Sequence, residues 1–202
     1  MKRFVGLLSN ADAELLESYA TKARRILELG VGGSTMIFAQ SAAPAVPIVS
    51  VDSDPRWIAT TVSRLHRLAV AGRVRAVPLA EWKQRWAGTL PGFDLVFVDG
   101  AVGERLPFAI DAWRRMPAGG HLLWHDTRNK KDRELASVLQ FVRQHVDEVE
   151  DVRLNERWRG ATSNITTIRK KKAEPWVDWT QTEGKPPWAY GRGEPPASFW
   201  RR

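Results

Sequence analysis

Cysteine is absent from the 202 residues of the chain. Disulfides, thiolate metal ligands and a cysteine nucleophile are therefore excluded, and a reducing compartment is mildly favoured. No apolar run approaches the ~20 residues of a membrane-spanning helix, and the apolar start at residues 4–8 is too short for the core of a signal peptide. We therefore expect a cytoplasmic protein without a membrane partner.

Acidic residues are outnumbered: 31 lysines and arginines face 23 aspartates and glutamates, for a net charge of +8. Half of this excess lies in residues 169–202, which hold eight basic and four acidic residues. Residues 171–202 are rich in proline and tryptophan and follow neither a helical nor a strand period. We expect one domain at 1–170 and a basic tail at 171–202, through which two copies of the chain could associate.

Helical and strand patterns alternate before the tail. Ser9 and Asp54 are predicted to cap helices, and Asn129 with Asp132 resembles a capping pair. The predicted helices span 9–22, 34–42, 54–69, 104–116 and 129–146. The predicted strands span 25–29, 47–51, 74–79, 94–98, 121–125, 148–154 and 161–170. The last two have no helix between them, so the pattern predicts an α/β fold: a doubly wound, Rossmann-like, mostly parallel sheet ending in an antiparallel hairpin.

Ligands of such sheets bind beyond the carboxyl ends of the strands. The first predicted strand ends in the sequence ELGVGGS, which places Gly30, Gly32 and Gly33 in the turn before a helix. A turn of this kind lets a ligand lie against the backbone, and the helix start offers N–H groups. Asp52 ends the second strand 22 residues after Gly30, close to the spacing at which an acid meets ribose hydroxyls.

A third glycine is missing from this loop. The dinucleotide pattern G-x-G-x-x-G would place a glycine at position 35, where the chain has Thr35. The loop also carries the acid Glu28, which would repel a pyrophosphate but attract an ammonium or sulfonium group. The loop therefore favours a positively charged cofactor over a nicotinamide dinucleotide.

Four segments together resemble the class I S-adenosylmethionine-dependent methyltransferases: ELGVGGST at 28–35, VSVD at 49–52, FDLVFVDG at 93–100 and GGHLLWHDT at 119–127. Within that class, the last two segments are similar to small-molecule and sugar-type O-methyltransferases. The resemblance implies a class I methyltransferase fold, S-adenosylmethionine as cofactor and a small-molecule methyl acceptor.

The resemblance also implies where the cofactor would lie. Its amino-acid end would meet Glu28 and the loop, its ribose would meet Asp52, and its adenine would lie near Glu81 and Trp82. Glu81 departs from the family pattern, which usually places an acid or amide right after the third strand, because Pro78, Leu79 and Ala80 intervene here. The implied cofactor-binding residues are Glu28, Gly30, Val31, Gly32, Gly33, Ser34, Asp52, Glu81, Trp82 and Asp99.

Asp99, His125 and Asp126 are the candidate catalytic residues, since they follow the fourth and fifth strands. Many relatives have a histidine where this chain has Val102, so His125 is the remaining candidate base, with an ordinary pKa near ~6.5. Alternatively, a divalent cation such as Mg²⁺, held by Asp99 and Asp126, could lower the pKa of the acceptor hydroxyl.

Two other functions stay open at this point. The net charge and four tail tryptophans, at 176, 179, 188 and 200, would suit a nucleic-acid-binding protein or an RNA methyltransferase on the same fold. A nicotinamide-dependent oxidoreductase is the third hypothesis. Nucleic acid is the less favoured partner. DNA base methylation is disfavoured because the chain lacks the cysteine of cytosine-C5 enzymes, and because Asp99-Gly100-Ala101-Val102 follows the fourth strand where adenine-methylating enzymes carry an Asn- or Asp-Pro-Pro-aromatic run; ribose or RNA methylation stays open.

Overall fold

A seven-stranded sheet forms the centre of the protein. Its strands are β1 (Ile26–Leu29), β2 (Ile48–Asp52), β3 (Val74–Pro78), β4 (Leu95–Val98), β5 (His121–Trp124), β6 (Val149–Arg153) and β9 (Thr166–Lys170). Their order in the sheet is β3-β2-β1-β4-β5-β9-β6. The computed structural model describes residues 8–86, 92–128 and 134–171. All neighbouring pairs from β3 to β5 are parallel, and β9 runs antiparallel to both β5 and β6.

Helices follow most of these strands, as the alternation predicted. The helices are α1 (Asn10–Ala20), α2 (Gly33–Ser41), α3 (Pro55–Arg67), the single turn α4 (Leu79–Glu81), α5 (Arg105–Arg115) and α6 (Glu134–Gln144). A 3-10 turn at Ala71–Arg73 precedes β3, and a π-helical segment at Trp82–Trp86 continues α4. Within the described residues, no helix is long and apolar enough to cross a membrane.

The predicted doubly wound fold is confirmed, and most predicted boundaries agree with the observed ones to within two residues. Ser9 and Asp54 cap α1 and α3 as predicted. The pair Asn129 and Asp132 lies outside the described residues, as does the tail beyond Lys171.

The predicted strand at 161–170 is split in two. Its first residues form β8 (Ala161–Thr162), which pairs with β7 (Arg157–Trp158) in a small separate hairpin. Ser163 turns back on itself, since its Oγ accepts from the N–H of Ile165 and donates to the carbonyl of the same residue. The chain enters the central sheet only at Thr166, so one continuous run of β-forming residues serves two sheets.

Apolar side chains cover both faces of the sheet. Leu15 and Leu16 of α1 pack with Phe38 of α2 on one face. Trp113 of α5 and Phe141 of α6 pack on the other face, with ring centroids 5.3 Å apart. Since both faces are covered, ligands can reach the sheet only at its edges and strand ends, which agrees with the expected location of the site.

The turn after β1 requires glycine at position 30. Gly30 has a φ of +95°, and a Cβ at this position would lie 2.5 Å from the carbonyl oxygen of Asp99. Its N–H donates to the Val51 carbonyl at 2.8 Å, while the N–H of Asp99 donates to Leu29 at 2.7 Å. The ends of β1, β2 and β4 are therefore locked together in a contact that has no space for a side chain.

Substitution of this glycine tests the contact. We expect Gly30→Ala to lower the free energy of unfolding by more than about 2 kcal/mol, because it adds left-handed strain to a clash with backbone. Gly72→Ala is the matched control, since a Cβ there meets no atom within 4 Å. We expect that control to stay within about 0.5 kcal/mol of the wild type in urea denaturation. Equal stability of the two variants would contradict the packing described here.

Candidate functional site

Most of the predicted site residues lie at one edge of the sheet, beyond the carboxyl ends of β1, β2, β4 and β5. The glycine loop follows β1, Asp52 ends β2, Asp99 follows β4, and His125 with Asp126 follows β5. The parallel register of these four strands places their ends side by side. The site thus has two adjacent parts: the glycine loop with Asp52, and a cluster of charged side chains around His125.

Asp52 holds the glycine loop through its carboxylate. One oxygen accepts the N–H of Val31 at 2.9 Å, and the other accepts the N–H of Asp54 at 2.8 Å. The carboxylate is partly exposed. Each oxygen can accept a further hydrogen bond, so the carboxylate has free capacity for a ligand hydroxyl.

Glu28 lies beneath the loop, with no exposed surface. Its carboxylate accepts hydrogen bonds from the hydroxyls of Ser34, Thr35 (2.7 Å) and Ser50 (2.6 Å). Burial raises the pKa of Glu28 to about 7, and the hydrogen bonds from Ser34, Ser50 and Thr35 offset only part of this rise. The side chain that the sequence suggested would face a cation instead ties the loop and α2 to the sheet.

The first turn of α2 continues the loop. Gly32 donates its N–H to the Thr35 hydroxyl at 2.8 Å, so the fold uses this donor internally. A Cβ at Gly32 would meet only Trp57 Nε1, at 3.6 Å, which leaves open space above the loop. Trp57 is 45% exposed and borders this space. Sequence reasoning missed Trp57, because it belongs to α3 and carries no motif.

Asp99, His125 and Asp126 are brought together as predicted. Nδ1 of His125 lies 3.0 Å from an Asp99 oxygen and 3.3 Å from an Asp126 oxygen. Asp126 has a φ of +62°, a left-handed conformation that aspartate tolerates better than most residues. The two aspartate side chains are about a quarter exposed, at 25% and 24%, whereas His125 is buried.

Arg105, the first residue of α5, adds a second cation to this cluster. Its Nη2 lies 3.0 Å from Asp126 and 3.4 Å from Asp99. Its Nε donates to the Gly100 carbonyl at 2.6 Å, and its Nη1 donates to the His125 carbonyl at 3.2 Å. Only 6% of this residue is exposed. Sequence reasoning missed Arg105, because a basic residue at a helix start carries no signal of burial.

Asp12 of α1 is the third carboxylate of the cluster, and sequence reasoning missed it as well. One of its oxygens lies 3.7 Å from Nε2 of His125 and accepts from the Ser9 hydroxyl at 2.6 Å. The other oxygen accepts the Asn164 N–H at 2.6 Å, while the Asn164 amide donates to Asp126 at 3.0 Å. The sequence signal for Asp12 was its place three residues after the cap Ser9, which indicated only a helix start.

His125 has a carboxylate at each ring nitrogen. Burial by itself lowers its pKa, but the carboxylates of Asp12, Asp126 and Asp99 outweigh burial and raise the pKa to about 11. The same contact with His125 is the main cause that lowers the pKa of Asp126 to about 2. The side chain is therefore an imidazolium at neutral pH, which does not suit the role of general base that its ordinary pKa suggested.

Glu81 and Trp82, which were expected near an adenine, differ in their exposure to solvent. The Glu81 side chain is 40% exposed and pairs with Arg85 at 3.8 Å. Trp82 is only 2% exposed and packs against Phe93 and Phe108, with ring centroids 6.3 and 6.0 Å away. Its ring is thus enclosed in the core, and of these two residues only Glu81 has a side chain exposed to a ligand.

A cavity of about 520 Å³ opens beside the charged cluster. Every described residue that lines it is polar or charged: Ser9, Asp12, Asp99, His125, Asp126, Arg128, Thr162 and Asn164. A second cavity, of about 450 Å³, lies on the side of α1 against the amino ends of β4 and β5. There Glu156 is already engaged by Tyr19, Thr167 and Arg153, so the first cavity is the better candidate for chemistry.

The cluster also has the spacing of a cation site. One ligand atom each from Asp99, His125 and Asp126 lies within 4.8 Å of the others. Arg105 already contacts both carboxylates, however, and both ring nitrogens of His125 face carboxylates of the protein itself. The donor set therefore does not fit the divalent cation that the sequence left open.

Solved structures of methyltransferases share this fold. One is the O-methyltransferase TomG from Streptomyces achromogenes, involved in tomaymycin synthesis and in complex with SAM (19% identity, 82% of each chain covered, TM-score 0.66). Another is an O-methyltransferase from Bacillus cereus in complex with SAH (15% identity, 83% of this chain and 84% of that chain, TM-score 0.67). A third is the SAH-bound methyltransferase PaMTH1 from Podospora anserina (19% identity, 79% and 78% covered, TM-score 0.62).

Similarity in sequence identifies the family. No curated protein matches the chain by sequence. The model of a family described as "Methyltransferase domain" matches residues 27–127, which is half of the chain. This match covers the glycine loop, Asp52, Asp99, Arg105 and the pair His125–Asp126. The chain belongs to this methyltransferase domain family.

Proposed function

We propose that the protein is an S-adenosylmethionine-dependent methyltransferase that acts on a hydroxyl group of a small polar molecule. The observation that carries this proposal is the contact between the two parts of the site, where Gly30 leaves no space for a side chain against Asp99. A cofactor held by the loop would thus present its methyl group beside the charged cluster. The Streptomyces and Bacillus neighbours, named as O-methyltransferases with SAM or SAH, support this choice.

The cofactor would be held mainly by backbone. The space above Gly32 has no Cβ to fill it, and Asp52 has capacity for the ribose hydroxyls. Glu28 would act from beneath, by fixing the loop through Ser34 and Thr35. The proposed cofactor-binding residues are Gly30, Val31, Gly32, Gly33, Ser34 and Asp52, with Glu81 at the rim.

The reaction is a direct displacement. When bound, S-adenosylmethionine supplies a methyl carbon, which bonds to the acceptor oxygen while the carbon–sulfur bond breaks and its electron pair stays on sulfur. Asp99 takes the hydroxyl proton, since among the described residues only its Oδ1 is engaged, by His125 and Arg105. His125 and Arg105 hold this carboxylate in place and keep its other oxygen free for the acceptor.

The cavity indicates the class of acceptor. Its described lining offers three carboxylates, an amide and hydroxyls, and no apolar side chain. Such a surface binds a molecule with several hydroxyl groups better than it binds a flat aromatic molecule. An apolar ring in the cavity would bury the polar groups of the lining and leave them without hydrogen-bond partners. A sugar or another polyol is therefore the acceptor that this lining favours. The nucleic-acid-binding and nicotinamide hypotheses gain no support from the comparisons.

Asp52 tests the cofactor site. We expect Asp52→Ala to weaken S-adenosylmethionine binding by roughly tenfold or more, because it removes a charged hydrogen-bond acceptor for the ribose. Asp54→Ala is the matched control, since Asp54 also accepts backbone N–H groups but caps α3. That variant should change affinity by less than about twofold while costing the helix its cap. Calorimetric titration with S-adenosylmethionine measures the affinity of both variants. Unchanged affinity in Asp52→Ala would place the ribose elsewhere.

Asp99 tests the chemistry. We expect the wild type to transfer a labelled methyl group to members of a panel of sugars and polyols, and Asp99→Asn to lower the rate by about 10²- to 10⁴-fold. Binding of S-adenosylmethionine should be nearly unchanged, because the loop does not depend on this side chain. Asp111→Asn is the control, since Asp111 pairs with Arg115 on α5 and is 41% exposed.

Mass spectrometry of the products reads out this experiment. Wild-type rates in Asp99→Asn would remove Asp99 from the mechanism. Methylation of phenols alone, with no sugar or polyol accepted, would contradict the proposed acceptor class. Failure of the wild-type protein to bind S-adenosylmethionine would contradict the proposed function as a whole.

A further inference from the structure

The charged cluster contains its own cations. Arg105 contacts both Asp99 and Asp126, at 3.4 and 3.0 Å, and so occupies the space between the two carboxylates that a metal ion would need. Its other two nitrogens, Nε and Nη1, donate to the carbonyls of Gly100 and His125. The guanidinium is thus fixed on three sides by main-chain carbonyls and carboxylates.

Displacement of Arg105 would be costly. The side chain is 7% exposed, and it projects from the first residue of α5, within reach of the strand ends. Removing it from the cluster would take a charged donor from two partly buried carboxylates and would leave two main-chain carbonyls without this donor. Breaking a buried ion pair in this way is strongly destabilising, because it leaves a charge without compensation.

His125 blocks the second approach to these carboxylates. Its Nδ1 faces Asp99 and Asp126, and its Nε2 faces Asp12, so an oxygen lies within 3.7 Å of each ring nitrogen. Both ring nitrogens thus face carboxylates of the protein itself.

We propose that Arg105 takes the place of a divalent metal ion at this site and excludes the metal, while His125 occupies the other side of the same two carboxylates. The proposal rests on the proposed function only for its consequence, which is that methyl transfer would proceed without a metal. Arg105 is then a positioning residue: it acts through Asp99 and Asp126 and not on the substrate itself. Its removal should open a cation site among oxygen ligands.

Titration of the full-length, chelator-treated protein with Mn²⁺ tests this proposal, by calorimetry and by electron paramagnetic resonance of the metal. We expect no binding to the wild type up to millimolar Mn²⁺. Arg105→Ala should gain one site per chain with a Kd of about 100 µM or tighter, in the range of carboxylate cation sites. The double variant Arg105→Ala/Asp126→Asn should lose the site again, which a merely structural role of Arg105 would not produce.

Arg24→Ala is the matched control, because Arg24 also pairs with an aspartate, Asp94, but is 80% exposed. It should gain no Mn²⁺ site. A wild-type protein that binds one Mn²⁺, with binding lost in Asp126→Asn, would overturn the proposal. A folded Arg105→Ala variant without a gained site would overturn the role given to Arg105.

Two further measurements keep the outcomes separate. If Arg105→Ala does not fold, Arg105→Met replaces it, because methionine keeps an apolar side chain and removes the charge. The wild-type titration tests by itself whether the native cluster excludes the metal. Titration of the same preparations with S-adenosylmethionine shows whether the proposed function holds. Absence of cofactor binding would defeat that function and leave the result for Mn²⁺ unaffected.

Discussion

A buried cluster of charges joins the elements around the site. Asp12 comes from α1, Asp99 follows β4, Arg105 begins α5, and His125 with Asp126 follows β5. Arg105 reaches two of these acids, and His125 reaches all three. Because the side chains are largely withdrawn from water, each charge needs its partners to stay in place. The cluster therefore fixes the relative positions of two helices and two strand ends, and it gives the candidate catalytic carboxylates their orientation.

The glycine loop depends on the same edge of the sheet. Gly30 adopts a left-handed conformation against the main chain of Asp99, and Glu28 and Asp52 hold the loop from below and from the side. Both acids therefore act first on the protein itself. A polar loop with a fixed backbone beside a carboxylate held in place by Arg105 and His125 suits a direct displacement, since alignment of the reactants can contribute a large part of the rate enhancement.

Sequence patterns were sufficient for the fold and for the prediction that most of the candidate site residues lie at one edge of the sheet. Strand ends could be found from apolar runs followed by Asp52, Asp99 or His125, and parallel strands bring their ends together. The direction of individual side chains could not be predicted. Glu28 meets three hydroxyls and Trp82 enters the core, because packing partners from distant elements determine where a side chain points. Arg105 gave no signal for the same reason: its burial depends on how the fold places around it Asp99 and Asp126, which are 6 and 21 residues away in the sequence.

The protonation of His125 is the most direct test of this account, because the ring is cationic only if the carboxylates surround it as described. The folded-state pKa is raised above the unfolded value of 6.5, so this stabilisation is fully present below pH 6.5 and is lost as the pH rises through about 11. Nitrogen-15 NMR of the ring, assigned with His125→Gln, measures its state. We predict a doubly protonated ring throughout the range from pH 5 to 9. A neutral ring that titrates near the ordinary value would contradict the account.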